Sequence, residues 1–150
     1  MPQPLTPALF RQRLMIVTIA LVMAQVMYLL LAVAMIQHNY KVAANSSQRT
    51  QTTTAIFLAG VLAAVISFPV TQVMAGRQAT MPDFATTSAA LQKRFFVGFV
   101  FSEVASLAGL LIFFIYADVK PLLLLVSIAS ASIIIHYLRT KKAIEDIERK

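Results

Sequence analysis

Four long apolar runs, each about as long as a bilayer is thick, leave this 150-residue chain few folds. A helix rising 1.5 Å per residue needs about 20 residues to cross a hydrocarbon core of about 30 Å. Leu14–Ile36, Thr54–Ala75, Phe95–Tyr116 and Pro121–Leu138 meet that length. In hydrocarbon every backbone N–H and C=O must find its partner inside the structure, and a continuous apolar run does so as a helix. The sequence therefore predicts an all-α, polytopic membrane protein: one four-helix domain in an antiparallel bundle, followed by a helical tail over 139–150. Pro121 suits a first helical turn, where no backbone donor is needed. Asp118–Val119–Lys120–Pro121 is accordingly expected to be a tight hairpin. Ser127, Ser130 and Ser132 on the shortest span can return hydrogen bonds to the helix backbone or reach a neighbouring helix.

The net charge of +7 belongs to the flanks of these runs. Arg11, Arg13, Arg77, Lys93, Arg94, Arg139, Lys141, Lys142, Arg149 and Lys150 fall on one side, against Lys41, Arg49 and Lys120 on the other. Cations near span ends are retained in the cytoplasm, so both termini are expected there, in the cell inner (cytoplasmic) membrane. The basic residues flank spans and form no aromatic-basic face, which argues against nucleic acid and for anionic lipid. Ala32-Val33-Ala34 looks like a signal-peptide cleavage site, but the apolar run before it exceeds the usual signal core of about 7–15 residues.

Between the spans, Gln37–Thr53 reads as an outer polar loop carrying the sequon Asn45-Ser46-Ser47, and Gly76–Arg94 as a cytoplasmic loop with a turn at Met81-Pro82-Asp83. In the tail, Lys141 and Glu145, Lys142 and Asp146, Glu145 and Arg149, and Asp146 and Lys150 stand four residues apart, a spacing that supports a helix. The chain has no cysteine, which excludes disulfides, thiolate metal sites and cysteine nucleophiles. His38 and His136 lie on different runs without clustered ligands, so no metal or other cofactor is expected. No nucleophile–base pair, paired carboxylates or phosphate loop suggests an enzyme.

Glu103 is the one ionisable residue within the third run. A carboxylate at mid-bilayer costs roughly 2.5–3.5 kcal/mol on insertion scales unless it is protonated, paired or facing water. No Lys or Arg lies inside a span, so the protonated, hydrogen-bonded form is expected wherever the site faces lipid or protein. Counting equal depth from the cytoplasmic ends places Ser67, Thr71 and Gln72 beside it, with Ser102 and Ser106 on its own helix. Gln25, midway along the first span, is a further hydrogen-bond candidate for Glu103 or a serine. Gly98, Ser102, Ala105 and Gly109 form a stripe of small residues, and Ala55, Ala59, Ala63 and Ser67 form another, so the second and third spans are expected to pack through them. Pro69 is expected to kink the second span.

The run Phe96-Val97-Gly98-Phe99-Val100-Phe101-Ser102-Glu103-Val104-Ala105-Ser106-Leu107-Ala108-Gly109-Leu110-Leu111 resembles the carboxylate-bearing helix of the proteolipid, or c subunit, of rotary ATP synthases. Gly98, Glu103 and Gly109 match that family's glycine–carboxylate–glycine spacing, and Arg77-Gln78 stands where its polar loop begins. The resemblance covers the middle pair of helices. It implies that Glu103 carries a proton and that the chain works as a homo-oligomer or as a subunit of a larger membrane complex. The alternative is a non-transporting accessory subunit in which Glu103 stays buried and protonated.

The charge asymmetry makes a direct prediction. Cysteines introduced one at a time by Ser46→Cys and Lys142→Cys should label from opposite sides of sealed cells. Labelling of both by an impermeant reagent from one side would contradict the topology.

Overall fold

A computed structural model describes residues 6–38, 46–76 and 84–149. It consists of four α-helices: α1 (Pro7–Gln37), α2 (Ser46–Gly76), α3 (Phe84–Tyr116) and α4 (Val119–Glu148). Each is long and apolar enough to cross a membrane. The sequon's Asn45, Arg77-Gln78, Met81-Pro82-Asp83 and Lys150 lie outside the described residues.

The helices overrun the apolar segments because apolarity marks only the part that suits hydrocarbon, while a helix once nucleated propagates into polar residues. Residues 46–53, expected in a loop, begin α2, and residues 84–94 begin α3. Thr6 caps α1 by accepting from the Leu9 N–H at 3.3 Å, with Pro7 in the first turn. α2 runs on through Pro69. The link from α3 to α4 is shorter than Asp118–Pro121. Ala117, at φ 52°, takes the left-handed position that ends many helices, and its N–H returns to Phe113 O at 2.7 Å. Asp118 then caps α4 by accepting from the Lys120 N–H at 3.1 Å. Pro121 falls in the first turn of α4, and the tail residues as far as Glu148 continue the same helix.

α3 and α4 are the central pair, and α2 packs mainly on α3. α1 lies against α4 and, more lightly, α3, and does not meet α2 among the described residues. Three apolar clusters tie these helices together. Phe10 and Leu14 of α1 meet Leu91 and Phe95 of α3 and Ile144 of α4. Ala64 of α2 meets Ala105 and Ile112 of α3 and Leu125 and Ala129 of α4. Ala32 of α1 meets Phe113, Leu122 and Val126. Near the first cluster, Arg11 donates to Glu148 at 2.9 Å, and Lys141 lies 3.8 Å from Glu145 on the tail.

The small residues make the close contacts, with two corrections to the sequence expectation. On α2 the inward face is Gly60, Ala64, Ser67 and Thr71, whereas Ala55 and Ala59 are exposed and Ala63 is half-buried. The reason is geometric. At 3.6 residues per turn, strict steps of four drift around a helix, while steps of four, three and four hold one face. Gly98, Ser102, Ala105 and Gly109 are all buried, as their four-three-four spacing requires. Their nearest partner, however, is largely α4. A Cβ on Gly98 would stand 2.7 Å from the His136 ring, and one on Gly109 would stand 3.0 Å from Leu122 Cα. α2 comes close to α3 at Gly60, where a Cβ would stand 3.0 Å from Ala108 Cβ.

The His136 ring cannot simply move aside, because Phe68 stacks on it with centroids 4.9 Å apart. Gly98→Leu should therefore destabilise the purified protein by about 1–3 kcal/mol, the scale of overpacking. Leu124, 56% exposed, should tolerate Leu124→Phe. Equal thermal unfolding temperatures for the two variants in detergent would contradict this packing.

Candidate functional site

Glu103 projects from the middle of α3 toward α1. Its Oε2 accepts from Gln25 Nε2 at 2.7 Å, and its Oε1 accepts from the Tyr28 hydroxyl. Gln25 is held in turn by the Ser106 hydroxyl, which donates to its Oε1. Gln25 and Ser106 are buried, and Glu103 and Tyr28 are partly so. Helix periodicity assembles the group: Gln25 and Tyr28 are three residues apart on α1, and Glu103 and Ser106 are three apart on α3, so each pair shares a face. Donation runs from Ser106 through Gln25 to Glu103, with Tyr28 donating from the other side. Such chains polarise one another and gain strength in a low-dielectric interior.

Ser67, Thr71, Gln72 and Ser102 lie elsewhere. Adjacent helical residues point about 100° apart, and here Ser102 turns to α4 while Glu103 turns to α1. Ser102 Oγ lies 2.8 Å from Gly98 O and 2.7 Å from Ser132 Oγ. Ser67 lies 2.9 Å from His136 Nε2 and 3.5 Å from Ser132 Oγ, and donates to Ala64 O at 2.6 Å. Thr71 returns its hydroxyl to Ser67 O at 2.8 Å, and Gln72 is exposed. Matching depth from the span ends puts residues at one level but says nothing about which face they occupy.

Among the described residues, two polar groups thus join helices across the interior. Glu103, Gln25, Tyr28 and Ser106 join α1 to α3. His136, Ser67, Ser132 and Ser102 join α2, α3 and α4. Three members, Tyr28, His136 and Ser132, are not among the site residues that the sequence points to. Tyr28 was visible in principle, as a hydroxyl three residues beyond the only mid-span amide of the first run. His136 stands third from the end of its run without clustered ligands in the sequence, yet it is buried, with Gly98 leaving room for its ring. Phe68 covers that ring, and Arg139 lies 5.2 Å from the Phe68 centroid.

The chain matches no family model, no curated protein and no solved structure. The reading of the site accordingly rests on its own geometry, which predicts the effect of breaking it. Gln25→Leu removes the donor to Glu103 and the acceptor of Ser106 together, and a buried polar group left without its partner costs about 1–3 kcal/mol. Combined with Glu103→Leu it should cost clearly less than the two single changes added, since the partners then vanish together. Strict additivity in thermal unfolding would contradict the bond.

Proposed function

We propose that this chain is a multi-pass protein of the cytoplasmic membrane, an antiparallel four-helix bundle with both termini cytoplasmic, that binds and releases a proton at Glu103. The observation that carries the reading is the pair of donors on the two carboxylate oxygens, both supplied by α1. A tyrosine hydroxyl can donate or accept, whereas the amide N–H of Gln25 can only donate. With Glu103 ionised, Tyr28 O–H and Gln25 N–H both donate to it. With Glu103 protonated, the new O–H on Oε1 donates to the Tyr28 oxygen, the tyrosine hydrogen rotates away, and the Gln25 bond to Oε2 remains. One hydroxyl rotation therefore accommodates the proton without a change in packing.

Two further features support proton handling over a fixed structural bond. The spans contain no Lys or Arg to hold the carboxylate permanently charged. Glu103 is also only partly enclosed by the described residues of the bundle. The resemblance of Phe96–Leu111 to the proteolipid helix points the same way and suggests proton transport in a homo-oligomer or larger membrane complex. A second reading, an accessory subunit with a permanently protonated Glu103, draws on a specific observation: α1 of the same chain supplies both donors, so the site is complete without a partner.

Infrared spectroscopy of the protein in bilayers separates the two. Proton binding predicts a carboxylic-acid C=O band that weakens reversibly as pH rises. The band should survive Glu145→Gln with Glu148→Gln and disappear in Glu103→Gln. A Glu103 band that is unchanged across the stable pH range, or no such band at any pH, would contradict proton exchange.

A further inference from the structure

Because α1 leans on α4 and meets α3 only lightly, a groove of about 310 Å³ opens between the N-terminal halves of α1 and α3. That volume is at the small end of the range for small-molecule sites, about 300–1,000 Å³. Leu14 and Val17 of α1 and Phe95 and Phe96 of α3 line it, together with Arg13 and Gln92. Phe10 and Leu14 share a cluster with Leu91 and Phe95, so α1 and α3 enter the bundle at the same end. On α1 the cation precedes the apolar lining residues Leu14 and Val17, and on α3 the amide precedes Phe95 and Phe96. Apart from Phe10, which also lines it nearer the end of the bundle, the groove therefore has its cation and amide toward that end and an apolar floor further in.

We infer that this groove binds an anionic phospholipid, with its phosphate at Arg13 and Gln92 and an acyl chain along Leu14, Val17, Phe95 and Phe96. Charge complementarity selects this occupant. Arg13 makes no ion pair among the described residues, whereas its neighbour Arg11 is committed to Glu148. Lys93 and Arg94 follow Gln92 directly, α1 contains no acidic residue, the only one on α3 is Glu103, well inside the span, and of the acidic residues on the tail of α4 Glu148 and Glu145 are paired with Arg11 and Lys141. A phosphodiester meets an unpaired guanidinium in a bidentate fashion, which a zwitterionic headgroup matches less well because its own cation competes. The floor is open to the surroundings, with Val17 46% and Phe96 61% exposed, so a lipid can enter sideways from the bilayer. The inference is independent of proton binding at Glu103.

The test is native mass spectrometry of the full chain in detergent, doped with phosphatidylglycerol or phosphatidylcholine carrying identical acyl chains. Wild type should retain phosphatidylglycerol several-fold better. Arg13→Gln should erase that preference, and Lys142→Gln, at an exposed tail position outside the groove, should keep it. Val17→Trp, which fills the floor, should reduce retention of both lipids, with circular dichroism verifying that every variant stays helical. Equal retention of the two lipids by wild type would overturn the inference. So would equal losses in Arg13→Gln and Lys142→Gln, which would indicate general charge attraction, or unchanged retention in Val17→Trp.

Discussion

In hydrocarbon an apolar side chain gains nothing by leaving lipid for protein, so this bundle depends on close backbone approach and on a few buried polar bonds. The two devices are divided among the helices. α2, α3 and α4 meet at Gly60, Gly98 and Gly109, where added methyl groups would fall within 2.7–3.0 Å of a neighbour. α1 has no glycine, and most of its surface faces outward. Its attachment comes from the clusters at its two ends and, at mid-span, from Gln25 and Tyr28 on Glu103. The carboxyl group is thus the fastening of the most peripheral helix as well as the candidate proton site. Those roles are compatible because an amide donor and a hydroxyl can hold either protonation state.

The division also explains the second polar group. His136 is a large, polar ring in a span, and it is tolerated because Gly98 makes room for it, Phe68 covers one face and Ser67 shares a hydrogen bond with it. Ser102 and Ser132 extend the hydroxyls across the α3–α4 contact. A polar residue whose partners are all supplied costs little in hydrocarbon, and it adds specificity to a contact that apolar surfaces alone would leave free to slide.

The spans were legible because the bilayer imposes a length on any helix that crosses it, and apolar composition reports that length. The helix ends were less so: residues 46–53 and 84–94 are helical without being apolar, and composition does not see them. The stripe on α3 was legible because its four-three-four spacing matches the helix period, and the uniform spacing of four from Ala55 to Ser67 misled for the same reason. Glu103 stood out as the lone mid-span charge, and Gln25 as the lone mid-span amide of the first run. Which helix supplies partners to the carboxylate was not legible, because rotation about each axis is fixed only when all four helices pack.

Everything said of Glu103 depends on α1 lying against it. The most direct measurement is solid-state NMR in bilayers of the dipolar coupling between a ¹³C-labelled Glu103 carboxyl carbon and a ¹⁵N-labelled Gln25 side-chain nitrogen. The structure predicts a strong coupling, as the nitrogen lies 2.7 Å from the carboxyl oxygen, and its loss in Gln25→Leu. No detectable coupling in the wild-type protein would show that α1 does not supply the donors, and the site would have to be rebuilt around other partners.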